Sequence, residues 1–280
     1  MPTWTVDAPQ RLSFEEPVTR LDVYLISGRL NVVGTDGPAR VEIANAGTKP
    51  IIVAERDGHL TVRHERIPRW PSFLRWLLQF GRRVRVDVSI AVPVDARADL
   101  HLVEGSVIVS GLRRETFVDV TSGRITLMGL GGRTVAKLVS GPVEALGVAG
   151  DLTMETISGE LILADSSAER VHARAVSGSI TCDLDNPRRS EIRLGTTSGS
   201  VTVRVREDSD LSVHLHTMSG RITSAFPGLR SGGPSWTRDA QGVLGAGEGK
   251  LWASTTSGSI ALLSRPAPDP QDAEPEDAAI

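Results

Sequence analysis

One short phrase recurs through most of this chain and constrains its fold more than any other feature. Thr121-Ser122-Gly123-Arg124-Ile125 returns as Ile157-Ser158-Gly159-Glu160-Leu161, Val176-Ser177-Gly178-Ser179-Ile180 and Thr197-Ser198-Gly199-Ser200-Val201. Two further copies are Met218-Ser219-Gly220-Arg221-Ile222 and Thr256-Ser257-Gly258-Ser259-Ile260. With Gly105 and Gly141 included, successive glycines stand 18, 18, 18, 19, 21, 21 and 38 residues apart, the last being twice 19. A fixed period near 20 residues means stacked units.

Aligned on the glycines, the copies show what a unit requires. Two residues after each glycine stand Val107, Ile125, Val143, Leu161, Ile180, Val201, Ile222 and Ile260, all aliphatic. Five residues before stand Val118, Ala136, Met154, Ala173, Leu194, Leu215 and Ala253. The residue after each of these is almost always polar. Period-two alternation on both sides of a Ser-Gly bend is a strand signal. A unit of this length cannot bury its apolar face alone, but stacking on its neighbours does so. The expected fold is therefore all-β: a parallel β-solenoid of 18–21-residue rungs, bent at Gly123, Gly159, Gly178, Gly199, Gly220 and Gly258. Glycine supplies backbone freedom at the bend, and serine offers a hydroxyl to the local backbone. An antiparallel β-sandwich with Ser-Gly hairpins is the alternative. Alternation over Val18–Gly34, and more weakly over Asp57–Val62, extends the pattern toward the N-terminus.

Composition fits such a core. Hydrophobic residues make up 40% and aromatics only 4%, so the layers must be aliphatic. The net charge of −3 gives no general attraction to nucleic acid. Cys182 is the single cysteine, which excludes an internal disulfide and a cysteine zinc cluster. The first residues show neither a basic leader nor an apolar signal segment, and no apolar run approaches the ~20 residues that span a bilayer. The expected location is the cytoplasm, with a peripheral position at the inner face of the membrane as an extension.

Three stretches depart from the repeat. Residues 66–83 hold Trp70, Phe73, Trp76 and Phe80, four of the ten Trp and Phe residues, with five arginines and no acid. Ser72 can cap a short helix there that ends at Gly81. Such a segment either caps the end of the solenoid or enters a headgroup boundary while arginine meets anionic lipid. Trp70, Phe73, Arg75, Trp76, Leu77 and Phe80 are the candidate membrane or partner contacts. Residues 227–250, with Pro227, Pro234 and seven glycines, read as a long loop. Residues 265–280, with five acids and four prolines, read as a disordered tail after a single domain over 1–264.

Few residues of the chain fall in patterns that carry chemistry. His214 and His216 share the outer face of one strand, and His172 stands in the column of His214 with Arg193 between them. That column places the two rings two rungs, roughly 9–10 Å, apart, too far to share a metal. The recurring serines lie in no Gly-x-Ser-x-Gly elbow and have no recurring base beside them. Gly129–Thr134 lacks the ending of a phosphate loop. Asp119, Lys137, Glu155 and Arg174 form a column of alternating charge on the surface. No catalytic residue, cofactor or metal is expected.

The ordered Ser-Gly-x-(Ile/Val) series, with Gly247-Glu248-Gly249-Lys250-Leu251 before its last copy, resembles a bacterial putative-adhesin domain family of β-strand repeats. That family is of unknown function and related to toast-rack domains. The resemblance covers roughly residues 18–264 and implies a β-helical repeat with a role in adhesion or at the envelope. The expected function is a non-catalytic scaffold or interaction module, adhesin-like, meeting a protein partner or an anionic membrane surface. Self-association through exposed rung edges and a carbohydrate-binding or carbohydrate-cleaving β-helix stay open as alternatives.

Overall fold

The computed structural model describes residues 3–64, 85–184, 189–232 and 238–266. Two short strands, β1 (Thr3–Val6) and β2 (Gln10–Ser13), precede the long β3 (Arg20–Thr35). Leu21, Val23, Leu25, Leu30 and Val32 all point into the core from β3, and the strand bends at Ser27-Gly28. Next come β4 (Arg40–Asn45), β5 (Ile51–Arg56), β6 (His59–His64) and β7 (Val86–Pro93). β6 lies parallel to the first half of β3, and β7 lies parallel to the second half. Beyond them β5 and β1, and β4 and β2, add on antiparallel. The first end of the stack is thus closed by antiparallel strands, which is as far as the sandwich alternative goes here.

The body is the parallel solenoid. β8 (Arg97–Ser110) and β9 (Thr116–Met128) each make a whole rung, bent at Gly105 and Gly123. They are followed by β10 (Arg133–Ser140), β11 (Val143–Leu146), β12 (Ala149–Ser158), β13 (Leu161–Ser177), β14 (Ile180–Leu184), β15 (Glu191–Ser198) and β16 (Val201–Arg206). Each rung gives one strand to a first sheet, before its Ser-Gly corner, and one to a second sheet after it. Register is strict: Ser122, Ser140, Ser158, Ser177 and Ser198 pair in sequence. Between the sheets lies an aliphatic core, with Leu112, Leu130 and Val148 stacked at the opposite corner. Each such Leu, Ile or Val contributes about 1.5–3 kcal/mol relative to exposure.

The rungs do not stack in chain order throughout. After β16 the chain forms β17 (Leu211–Ser219) and β18 (Ile222–Ser224), then β19 (Arg230–Gly232) and β20 (Arg238–Leu244). It ends in β21 (Gly249–Ser257) and β22 (Ile260–Arg265). β21 lies between β15 and β17, and β22 between β16 and β18, parallel to both neighbours in each case. In space the corner glycines therefore run Gly178, Gly199, Gly258, Gly220. β20 runs back antiparallel along the far side of β17, so residues 227–250 contain strands and are not simply a loop. The spacing of 38 residues is the length needed to lay the outermost rung, turn back and fill the slot left open inside it.

The corner explains the glycines. A β-carbon on Gly123, Gly159, Gly178, Gly199, Gly220 or Gly258 would lie 1.7–2.0 Å from the carbonyl oxygen of the glycine one rung away. No flexible side chain can yield there, because the neighbour is backbone. The serines beside these glycines correct the sequence reading, since their side chains face solvent and make no bond to the corner. The hydroxyls that serve it belong to threonines three residues before the glycine. Thr196, Thr255 and Thr217 donate to the carbonyls of Gly178, Gly199 and Gly258, each at 3.0 Å.

Candidate functional site

The aromatic and basic contacts named from sequence, Trp70, Phe73, Arg75, Trp76, Leu77 and Phe80, lie outside the described residues, as does the helix expected around them. What is described is where that stretch attaches. β6 ends at His64 beside the first half of β3, and β7 begins at Val86 opposite Gly28. The two described ends, at His64 and Val86, thus flank the corner that Gly28 makes in β3. His64 is fully buried at this point, and its Nδ1 accepts a hydrogen bond from the Ile26 amide at 3.2 Å. Burial, with the charge of Lys49 as a lesser cause, lowers its pKa from 6.5 to about 4. Along the corners of Gly28, Gly105 and Gly123, a groove of about 640 Å³ is lined by Arg29, Arg85 and Arg124 together with Asp87 and Glu104.

The outer face of the first sheet holds most of the remaining polar and aromatic side chains. Tyr24, on β3, stacks on His101 of β8 at 5.0 Å, and His101 in turn meets Phe117 of β9 at 5.6 Å. One outer column reads Arg133, Asp151, Arg170, Glu191 and Lys250 in register. It alternates in sign like the column of Asp119, Lys137, Glu155 and Arg174. Arg170 and Asp151 approach to 2.7 Å and Lys137 and Glu155 to 3.0 Å. These exposed pairs contribute little to stability.

Next to the charges, the alternation fails. Val139, Ile157 and Val176 occupy the solvent side of successive rungs and are 43, 54 and 53% exposed. They line a groove of about 600 Å³ that reaches across to Gly195, Thr197 and Ser254. Gly195 differs from the corner glycines, because a β-carbon there would meet only the Ser254 hydroxyl, at 3.6 Å. It pairs with Arg174 on one side and Ser254 on the other, which leaves a gap two rungs wide in the outer column. A second hollow of about 280 Å³ shares Arg174, Gly195 and Ser254 and adds His172, Arg193 and Trp252. Trp252 is 53% exposed and packs against His214 with ring centres 4.6 Å apart. Arg193 approaches Glu191 at 2.5 Å, whereas Arg174 makes no ion pair or hydrogen bond among the described residues. Partial burial, then the charges of Arg174 and Arg193, depress the pKa of His172, against an opposing pull from Glu155.

Sequence adjacency missed this assembly. Arg193 and Trp252 both separate His172 from His214, so the two histidines are three rungs apart rather than two. The inserted rung also sets Ser254 beside His216, whose Nδ1 lies 2.6 Å from Asp239 Oδ1. These three side chains form a serine–histidine–aspartate row on the outer face. Among the described residues Ser254 makes no hydrogen bond to His216, and β21 has ladder partners on both sides. Cys182 is buried, and burial pushes its thiol pKa up, away from the reactive thiolate. Among the described residues no group of three or more His, Cys, Asp or Glu side chains could hold a metal. No helix among them is long and apolar enough to cross a membrane.

The solved structures this chain resembles include three very distant likenesses. A "putative adhesin" from Bacteroides fragilis NCTC 9343 is 12% identical with a TM-score of 0.48, covering 91% of this chain and 97% of that one. A "putative adhesin" from Parabacteroides distasonis ATCC 8503 is 11% identical with a TM-score of 0.31, covering 91% and 96%. A "putative cell adhesion protein" from Clostridium sporogenes ATCC 15579 is 10% identical with a TM-score of 0.29, covering 92% and 100%. Comparison with curated proteins gives no match. The assignment rests on the family model, which matches residues 32–263 and so takes in nearly the whole solenoid with its corner glycines. The chain belongs to the Toastrack DUF4097 family.

Proposed function

We propose that this protein is a non-catalytic interaction module, a rigid adhesin-like solenoid whose outer first-sheet face receives a partner. The observation that carries this reading is the column of Val139, Ile157 and Val176. Three neighbouring aliphatic side chains stand on the solvent side of strands whose pattern elsewhere puts polar groups there. Contiguous apolar surface rimmed by charge is the mark of a contact site on a soluble domain. In the same reading, residues 66–83 bring the module to an anionic membrane surface at the inner face of the envelope. The stretch carries Trp70, Phe73, Trp76 and Phe80 with arginines, and the described strands on either side of it, ending at His64 and beginning at Val86, flank the corner at Gly28.

Co-sedimentation with phosphatidylglycerol vesicles tests the membrane half. The wild type is expected to pellet with these and not with phosphatidylcholine vesicles. The Trp76→Ser/Phe80→Ser variant is expected to stay in the supernatant, while Ile157→Asp/Val176→Asp still pellets. Equal pelleting of the wild type and the Trp76→Ser/Phe80→Ser variant would sink it.

A further inference from the structure

We propose that the gap at Gly195 is a binding site for an acidic saccharide, one pyranose ring stacking on Trp252 while a carboxylate pairs with Arg174. The assignment rests on the interaction-module reading and narrows its outer face to one ligand class.

Four observations converge on it. Gly195 sits in the interior of a strand, where glycine is unfavourable, yet nothing crowds its position. Every corner glycine has a carbonyl that forbids a side chain; at Gly195 a β-carbon would meet only the Ser254 hydroxyl, at ordinary contact distance. Second, Trp252 offers a half-exposed indole face braced by His214, a flat apolar platform on a rigid sheet. Third, the gap is cationic. His172, Arg174 and Arg193 line the hollow beside Trp252; Glu155, in register with Arg174, is held by Lys137, and Arg174 makes no ion pair or hydrogen bond among the described residues. A guanidinium without a partner is suited to a two-pronged bond with a carboxylate. Fourth, the two hollows meet at Arg174, Gly195 and Ser254, so a chain of linked rings can pass from Trp252 across the glycine to Ile157 and Val176.

A peptide fits less well. The gap lies in the middle of the sheet, where β15, β21 and β17 have partners on both sides, so no strand edge is available for backbone pairing. A shallow platform with an exposed ring favours a ligand that presents its own flat apolar face.

Titration calorimetry on the full chain tests the assignment with three probes: α-1,4-linked trigalacturonate, neutral α-1,4-galactotriose, and a capped Glu-Glu-Glu peptide of equal charge. Trigalacturonate should bind at least about tenfold more tightly than either control, the margin a charge-assisted carboxylate pair supplies. Arg174→Ala and Trp252→Ala should each weaken it about tenfold. Gly195→Val should abolish it with no fall in melting temperature, because valine suits a strand and meets no clash. Absence of trigalacturonate binding, equal binding of galactotriose, or full affinity in Gly195→Val would each overturn the assignment. Tighter binding of the peptide would move the site to acidic polypeptide. The vesicle assay on the same three variants separates the readings: pelleting unchanged by them leaves the membrane half standing whatever the sugar result.

Discussion

A β-carbon on Gly123 would lie 1.7 Å from the carbonyl oxygen of Gly105 on the rung before it. The φ of +141° at Gly123 adds a conformation that other residues rarely adopt. Gly123→Ala can be accommodated only by prising two rungs apart, and that breaks ladder hydrogen bonds on both sides of the corner. It is expected to cost at least about 3 kcal/mol, at the upper end for single substitutions. Gly195→Ala should stay within about 0.5 kcal/mol of the wild type. Urea unfolding of the two variants side by side gives the comparison, and similar losses would contradict the corner argument.

The threonines at the same corner separate a satisfied hydroxyl from an orphaned one. Thr196 donates to the Gly178 carbonyl at 3.0 Å, while the buried Thr156 hydroxyl has no partner. Thr196→Val should lose about 1–2 kcal/mol by stranding that carbonyl. Thr156→Val should be neutral or stabilising, because it removes a polar atom that burial has already penalised. A lowered melting temperature for Thr196→Val and an unchanged or raised one for Thr156→Val are the expected outcome.

His64 supplies a pH dependence of defined sign. Its folded pKa, about 4, lies below the ordinary histidine value of 6.5, so the unfolded chain binds the proton first as pH falls. The contribution to stability is intact above pH 6.5 and is lost progressively from there down to about 4. It amounts to about 3 kcal/mol at most. The His64→Gln variant, which keeps a hydrogen-bond acceptor toward Ile26, should lack that part of the slope. Denaturant midpoints measured through this window check it, and an unchanged slope in the variant would refute it.

Cys182, the single cysteine, is a reporter of unfolding. Its side chain is buried between the sheets, and desolvation holds it in the thiol form. A disulfide reagent such as Ellman's reagent should not react with the native protein at neutral pH. In denaturant it should react at the rate of global opening, because the residue belongs to an interior rung. Fast labelling of the native state would mean that the core around β14 opens locally.

The rung was legible in the sequence because its requirements are local and repeated. Ser-Gly marks the bend, the aliphatic residue two positions later fills the core, and the polar residue four before faces water. Those features follow from the two-residue period of a strand and from the absence of a side chain at the corner, so a string of letters displays them. The reason for the glycine was only half visible. Backbone freedom is a property of the residue, whereas the carbonyl of Gly105 pressing on Gly123 belongs to the neighbouring rung. The role given to serine passed to threonines such as Thr196 for the same reason.

What the sequence by itself determined is therefore the unit: its length, its buried face and its bend. Tertiary structure decided the order of stacking. Nothing in the letters of β21 says that it lies between β15 and β17, because each rung carries the same pairing chemistry and would satisfy any neighbour in register. The order follows from which backbone groups are still unpaired once the outermost rung is laid and the chain has turned back along β20. That placement brings Trp252 next to Arg193 and Ser254 next to Gly195, residues 59 apart in the chain and one rung apart in space. The candidate site exists only because of it.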